Sequence, residues 1–265
     1  MQPPAPEAYF RSLEDIGIRV PPAMPQPIDA EIEKLVAQIA GTTRGAGIVI
    51  AAQEIARDPS ASTKLRTVLA LLKLLGFGRA QQTIDALQAE APKLGCREGC
   101  AYCCYQSVEV TIPEAILVAV HLADPGDPRR KALLARIDAQ ASKSKPERRH
   151  AGRPCPLLVD NRCSVYEDRP LMCRSIFAAD SADCRASLES IQRGGPELPV
   201  EQFLTAQYLM LSDQAGIRGI CKDMGLQHDL VELSEGVAAI LRDPGIIERW
   251  ISGERVFGPE LTIES

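Results

Sequence analysis

Nine cysteines stand in this 265-residue chain, and seven of them fall into two groups. The first is Cys96, Cys100, Cys103 and Cys104, spaced C-x3-C-x2-C-C, and the second is Cys155, Cys163 and Cys173. Thiolates are soft donors suited to zinc, iron and iron–sulfur clusters. Four sulfurs in so short a stretch converge only where the backbone turns tightly, and Gly95 and Gly99 allow such turns because they carry no Cβ. Short-spaced sulfurs completed by distant ones are the usual way a chain closes a thiolate cage. Two thiolates about 4 Å apart repel by roughly 4 kcal/mol at an effective dielectric near 20, so a pocket of them stays protonated until a cation arrives. The seven sulfurs are therefore the candidate metal ligands.

Charge and geometry narrow the stoichiometry. Seven thiolates around one Zn²⁺ leave about five negative charges uncompensated, and tetrahedral zinc accepts about four ligands. Two zinc ions sharing a bridging sulfur fit better, and so does one four-iron cluster held by four thiolates. Adjacent Cys103 and Cys104 are hard to direct at one tetrahedral ion, which again favours a polynuclear site. Arg97, Arg153, Arg162, Arg169 and Arg174 neighbour the ligands in sequence and are expected to offset the remaining charge. Cys184 is open as an eighth donor, whereas Cys221 is expected in the core of a helix. The competing readings are inert buried thiols and a redox-active Cys103–Cys104 disulfide. Random burial does not produce this grouping beside glycines.

The spacing of Cys96, Cys100, Cys103 and Cys104, followed by Cys155, Cys163 and Arg169-Pro170-Leu171-Met172-Cys173-Arg174, resembles the YkgJ-like cysteine-cluster family over about residues 93 to 178. The run from Cys163 to Pro170 is similar to that family's C-x-I-Y-x-x-R-P signature, with Val165 in place of the usual Ile. Here the first spacing is three residues, where the family has two. The resemblance implies zinc or iron chelation, with the seven sulfurs as ligands. Some related proteins are flagellin lysine methylases, so the resemblance also implies an alternative, an enzyme that uses a metal cluster in redox chemistry or protein N-methylation. Cys96-x3-Cys100-x-Tyr102-Cys103 also satisfies the radical S-adenosylmethionine pattern. That fold needs a strand just before the motif and βα units after it, whereas helical patterns flank it here.

Those elements must position the sulfurs. Seven prolines make residues 1–27 an extended arm. Apolar spacing predicts helix from Ile28 to Arg57, interrupted near Gly41 and between Gly45 and Gly47. A helix capped by Ser60 or Ser62 runs to Gly76 and Gly78, and a short one covers Gln81 to Glu90, completing a helical region over 28–92. The cysteine-cluster region is placed at 93–185. Within it, Thr111 and Glu114 form a capping box ahead of the apolar run Ile116 to Leu122. A helix from about Arg129 to Gln140 and a polar loop from Ser142 to Arg153 follow. Asp160-Asn161 turns a small hairpin between Leu157 and Tyr166, and Pro170 sits in the first turn of a helix carrying Cys173. Helices over Val200–Ala215, Leu230–Arg242 and Ile246–Ser252 make up a C-terminal region at 186–265.

The expected fold is mainly α, with helical flanks around an irregular cysteine-rich metal-binding centre that contains one small β-hairpin. Aromatics at 4% favour Ala/Leu-rich helices over aromatic-rich strands. A net charge of −5 argues against general binding to nucleic acid or a membrane surface. His121, His150 and His228 show no metal-binding spacing, and consecutive Glu167 and Asp168 read as acids at a helix start. Residues Met1 to Phe10 resemble no signal peptide, and no apolar run is long enough for a membrane helix. The expectation is a cytoplasmic protein with reduced thiols, whose partner is a metal ion or cluster, zinc or iron, the latter including a 4Fe-4S cluster. A protein partner is left open.

Overall fold

A computed structural model describes residues 30–78, 80–82, 84–85, 95–96, 99–141 and 153–263. The arm at 1–27, most of the helix expected at 81–90 and the loop from Ser142 up to residue 152 lie outside them. The chain is mainly helical, as expected. In chain order the helices are α1 (Ala30–Arg57), α2 (Ala61–Leu71), α3 (Ile112–His121), α4 (Pro128–Ala141), α5 (Leu171–Ser175), α6 (Ser181–Gln192), α7 (Leu204–Asp223), α8 (Leu233–Arg242) and α9 (Gly245–Ile251). The strands are β1 (Glu109–Thr111), β2 (Leu158–Val159), β3 (Arg162–Cys163), β4 (Leu230–Glu232) and β5 (Thr262–Ile263). No helix among the described residues is long and apolar enough to cross a membrane.

Helix α1 runs through Gly41, Gly45 and Gly47 without the expected interruption. A glycine weakens a helix by about 1 kcal/mol against alanine, and packing against a neighbour outweighs that. The neighbour is α7. Gly47 meets Ile220 closely, and a Cβ on Gly216 would stand 2.6 Å from Thr43 Cβ. Thr43 Oγ1 donates to Asp213 Oδ1 at 3.0 Å, and Arg44 pairs with Asp223.

Local signals account for the other helix starts. Ser60 Oγ accepts from Thr63 N at 3.2 Å to open α2, which continues into a π-helical turn over Leu72–Gly78. Thr111 and Glu114 form the capping box of α3. Asp160 and Asn161 take φ of 49° and 59°, the left-handed turn that joins β2 to β3.

Other parts depart from the sequence reading. Besides the hairpin there is a three-stranded antiparallel sheet, ordered β1-β4-β5, with Val110 opposite Val231 and Val231 opposite Thr262. Its strands are too short to show an alternating pattern, so the segment read as one helix from Leu230 divides into β4 and α8. Helix α6 was not anticipated, and the helix expected at 200–215 lies at Leu204–Asp223.

Two large apolar clusters form the core, beside a small one of Ile84, Phe177 and Ala206 on which Cys96 packs. In one, α3, α4, α8 and α9 surround the sheet, with Trp250 and Phe257 buried. In the other, Leu71, Leu72 and Leu75 meet Leu171 of α5 and Met210, Ile217 and Ile220 of α7. The cysteine-rich segment lies along their margin, where Cys155, Cys163 and Cys173 pack against the first cluster.

Candidate metal centre

The first cysteine group is tied to the chain that follows α5. Gly95 N donates to Ala178 O at 3.0 Å, and Ala178 N donates to Cys96 Sγ at 3.3 Å. Gly99 takes φ of +84°, a conformation other residues adopt only with strain. The chain then enters a 3₁₀ turn, Tyr102–Tyr105, which carries Cys103 and Cys104. With about three residues per turn, adjacent side chains leave such a helix about 120° apart.

The second group arrives by three routes. Cys155 N donates to Cys104 O at 2.6 Å, joining the two groups through the backbone. In the hairpin Cys163 pairs with Leu158, whose N–H donates to Cys155 O at 2.9 Å. Cys173 stands in α5, whose start is fixed by Glu114. That carboxylate is fully buried, and its Oε1 accepts from Leu171 N at 2.7 Å. Its Oε2 accepts from Thr111 N at 2.7 Å and Thr111 Oγ1 at 2.8 Å. The sequence announced the capping box; the bond to Leu171, which positions Cys173, had no local signal.

The sulfurs act on one another electrostatically. Cys173 feels Cys155, Cys163 and Cys103; Cys96 feels Cys100 and Cys103; the Cys103 thiol hydrogen-bonds to Cys104. The structure thus gathers all seven candidates into one neighbourhood. All nine cysteines are free, so the Cys103–Cys104 disulfide is absent. Among the described residues, no three cysteine, histidine or acidic side chains are already closed around a point that would hold a metal ion. Burial pushes the Cys155 thiol up to about 12 and raises Cys96, Cys163 and Cys173 as well. For Cys103 the hydrogen bond to Cys104 is the larger cause, with burial second.

Two sulfurs lie outside the candidate set. Cys221 is buried in the apolar core, and burial alone pushes its thiol up to about 12. Cys184, on α6, is raised to about 11 by burial and by Cys96, Cys100 and Cys103.

Cations border the cluster. Arg169 lies over the Tyr166 ring, 4.3 Å from its centre, and its charge acts on Cys96, Cys103 and Cys163. Arg136 of α4, which the sequence did not single out, acts on Cys155. The Nε atoms of both arginines are buried without a hydrogen-bond acceptor. Arg174 acts on Cys163 and donates to Arg169 O at 2.8 Å and Glu167 O at 2.5 Å. Arg153 lines a cavity of about 30 Å³ beside Cys155, with Tyr105 and Glu232. Arg97 lies outside the described residues.

The histidines hold structure instead of sulfur chemistry. His121 Nδ1 bonds to Asp168 Oδ2 at 3.0 Å, and Lys73 pairs with the other oxygen of Asp168. Asp168 therefore links the π-helical turn to the end of α3. His228 Nδ1 is 3.2 Å from Leu226 O, and His150 lies outside the described residues.

These residues fit a soft metal. The donors are sulfur, the thiols are neutral only while no cation draws off their protons, and both acceptor-less Nε atoms belong to arginines whose charges act on them. Residues 95–190 match the CxxCxxCC family model, described as "Putative zinc- or iron-chelating domain". No curated protein and no solved structure matches the chain.

Proposed function

We propose, from the CxxCxxCC cysteine-cluster domain that this chain carries at residues 95–190, that the protein is a cytoplasmic metal-binding protein. It holds zinc or iron, the latter as an ion or an iron–sulfur cluster, through Cys96, Cys100, Cys103, Cys104, Cys155, Cys163 and Cys173. The observation that carries this reading is the meeting of two distant cysteine groups, fastened by the bond from Cys155 N to Cys104 O. Thiols raised by burial release their protons as the cation binds, and affinity therefore falls with acidity. Arg169 and Arg136 then find acceptors for their Nε protons in the thiolate sulfurs, which lowers the cost of gathering negative charge. The reading of a reducing compartment rests on nine free thiols, several close enough to interact.

The test is metal analysis and an absorption spectrum of the full chain, purified without oxygen. Brown protein with broad visible absorption identifies an iron–sulfur cluster, and colourless protein with bound zinc identifies zinc sites. Cys163→Ser is expected to lose metal, and Cys221→Ser to keep it. A chain that binds neither zinc nor iron after anaerobic reconstitution overturns the reading.

A further inference from the structure

The cavity beside Cys155 is walled by three stretches of chain, residues 105–108, 153–156 and 232–234, around a volume of about 30 Å³. That is room for about two water molecules. Backbone bonds set its walls. Leu233 N donates to Val108 O at 2.9 Å, Cys155 N donates to Cys104 O at 2.6 Å, and Glu109 stands opposite Glu232 in the sheet.

Opposite charges line this small space, Arg153 on one stretch and Glu232 on another, yet they form no ion pair with each other. Among the described residues the Arg153 guanidinium has no hydrogen-bond or ion-pair partner. Glu232 is buried; its Oε2 accepts from Glu235 N at 3.0 Å as the cap of α8, and its charge reaches Cys155. A carboxylate offers about four acceptor positions, so this cap does not exhaust it. Ser234 lines the cavity from the first turn of α8 and is only 4% exposed, and its hydroxyl bonds to no described group. A buried hydroxyl costs free energy until it finds a partner, and the start of a helix favours negative charge.

We propose that this cavity binds the zwitterionic head of a free α-amino acid, whose carboxylate meets Arg153 and Ser234 at the start of α8 and whose ammonium meets Glu232. A dipolar ligand answers an arrangement that an ion of either sign does not. A lone anion would face the Glu232 carboxylate across a gap of about two water molecules, and a lone cation would face Arg153 and the positive end of α8. The cavity is open on one side, so the ligand's side chain leaves toward solvent and the head group alone is recognised. Cys155 serves here only as part of the wall, so the site goes beyond the metal-binding reading.

The experiment titrates the isotope-labelled full chain with glycine, N-acetylglycine and glycinamide at constant pH and ionic strength and follows the amide signals. Glycine is expected to shift those of residues 105–108 and 232–234 saturably. It should bind about tenfold more tightly than either blocked compound, each of which lacks one charge-assisted contact. Arg153→Gln is expected to weaken glycine about tenfold and to leave glycinamide unchanged. Glu232→Gln, which keeps an oxygen for the Glu235 amide, is expected to weaken glycine and to leave N-acetylglycine unchanged. Should it fold poorly, Arg153→Gln and the blocked compounds decide the matter. Either blocked compound binding as tightly as glycine overturns the proposal, and so does the absence of saturable shifts with glycine. Metal analysis of the same samples keeps the two readings apart. A chain that holds zinc or iron and ignores glycine refutes the amino-acid site alone, and one that binds glycine and neither metal refutes the metal-binding reading alone.

Discussion

Glu114 accepts from Thr111 at the start of one helix and from Leu171 at the start of another, without any exposure to solvent. Replacing it with alanine leaves the Thr111 and Leu171 amides unpaired in the interior. At about 1–3 kcal/mol for each buried group left without a partner, Glu114→Ala should cost about 2–6 kcal/mol in urea denaturation. It should also weaken metal binding, because Cys173 follows Leu171 by two residues on the same short helix. A metal affinity unchanged in the folded variant would show that Cys173 is placed by something else. Half of this role was legible: Thr111-x-x-Glu114 is a local pattern whose two bonds close within four residues. The second oxygen's partner lies far along the chain, and no spacing rule reaches it. Cys184 stayed an open candidate for a similar reason, since its nearness to Cys96 depends on where Gly95 packs. Arg136 likewise sits in an ordinary amphipathic helix, and only folding brings its charge to bear on Cys155.

Elements were legible where their signals are local and illegible where pairing spans long distances. The Asp160-Asn161 turn and the Ser60 cap both stand where their sequences placed them. Strands β1, β4 and β5 come from widely separated positions and have three residues at most. Their alignment is decided by the core around them. The glycines of α1 misled because a residue that weakens an isolated helix also permits close approach to another. That explanation makes an ordering prediction. In Gly216→Ala the new methyl meets Thr43 near its backbone, and Ala40 O lies 3.1 Å away, so α1 and α7 must separate. Overpacking should cost about 1–3 kcal/mol, more than the helix-propensity gain of about 1 kcal/mol returns. In Gly47→Ala the obstacle is the outer part of the Ile220 side chain, which can rotate away. The urea midpoint should therefore fall for Gly216→Ala and change little for Gly47→Ala; the reverse order would refute the packing account.

Across the whole molecule, the apolar clusters and the sulfur neighbourhood are adjacent but differently held. Trp250 is the sole tryptophan; it is fully buried, and its Nε1 donates to Gln227 O at 2.9 Å. Its emission therefore reports the apolar core. Stripping the metal with a chelator should leave that emission blue, while amide exchange accelerates between Cys155 and Cys173. A simultaneous red shift would show that the core depends on the ion. The bonds from Gly95 N to Ala178 O and from Ala178 N to Cys96 Sγ bring both ends of the cysteine-rich segment to one place. A stretch pinched shut at its base behaves like a purse with a drawn string: the loops between its elements can be lengthened while β1, α3 and α4 stay fixed in the core. Each doubling of a connecting loop within it costs only about 0.6 kcal/mol, so the same framework can carry segments of quite different length.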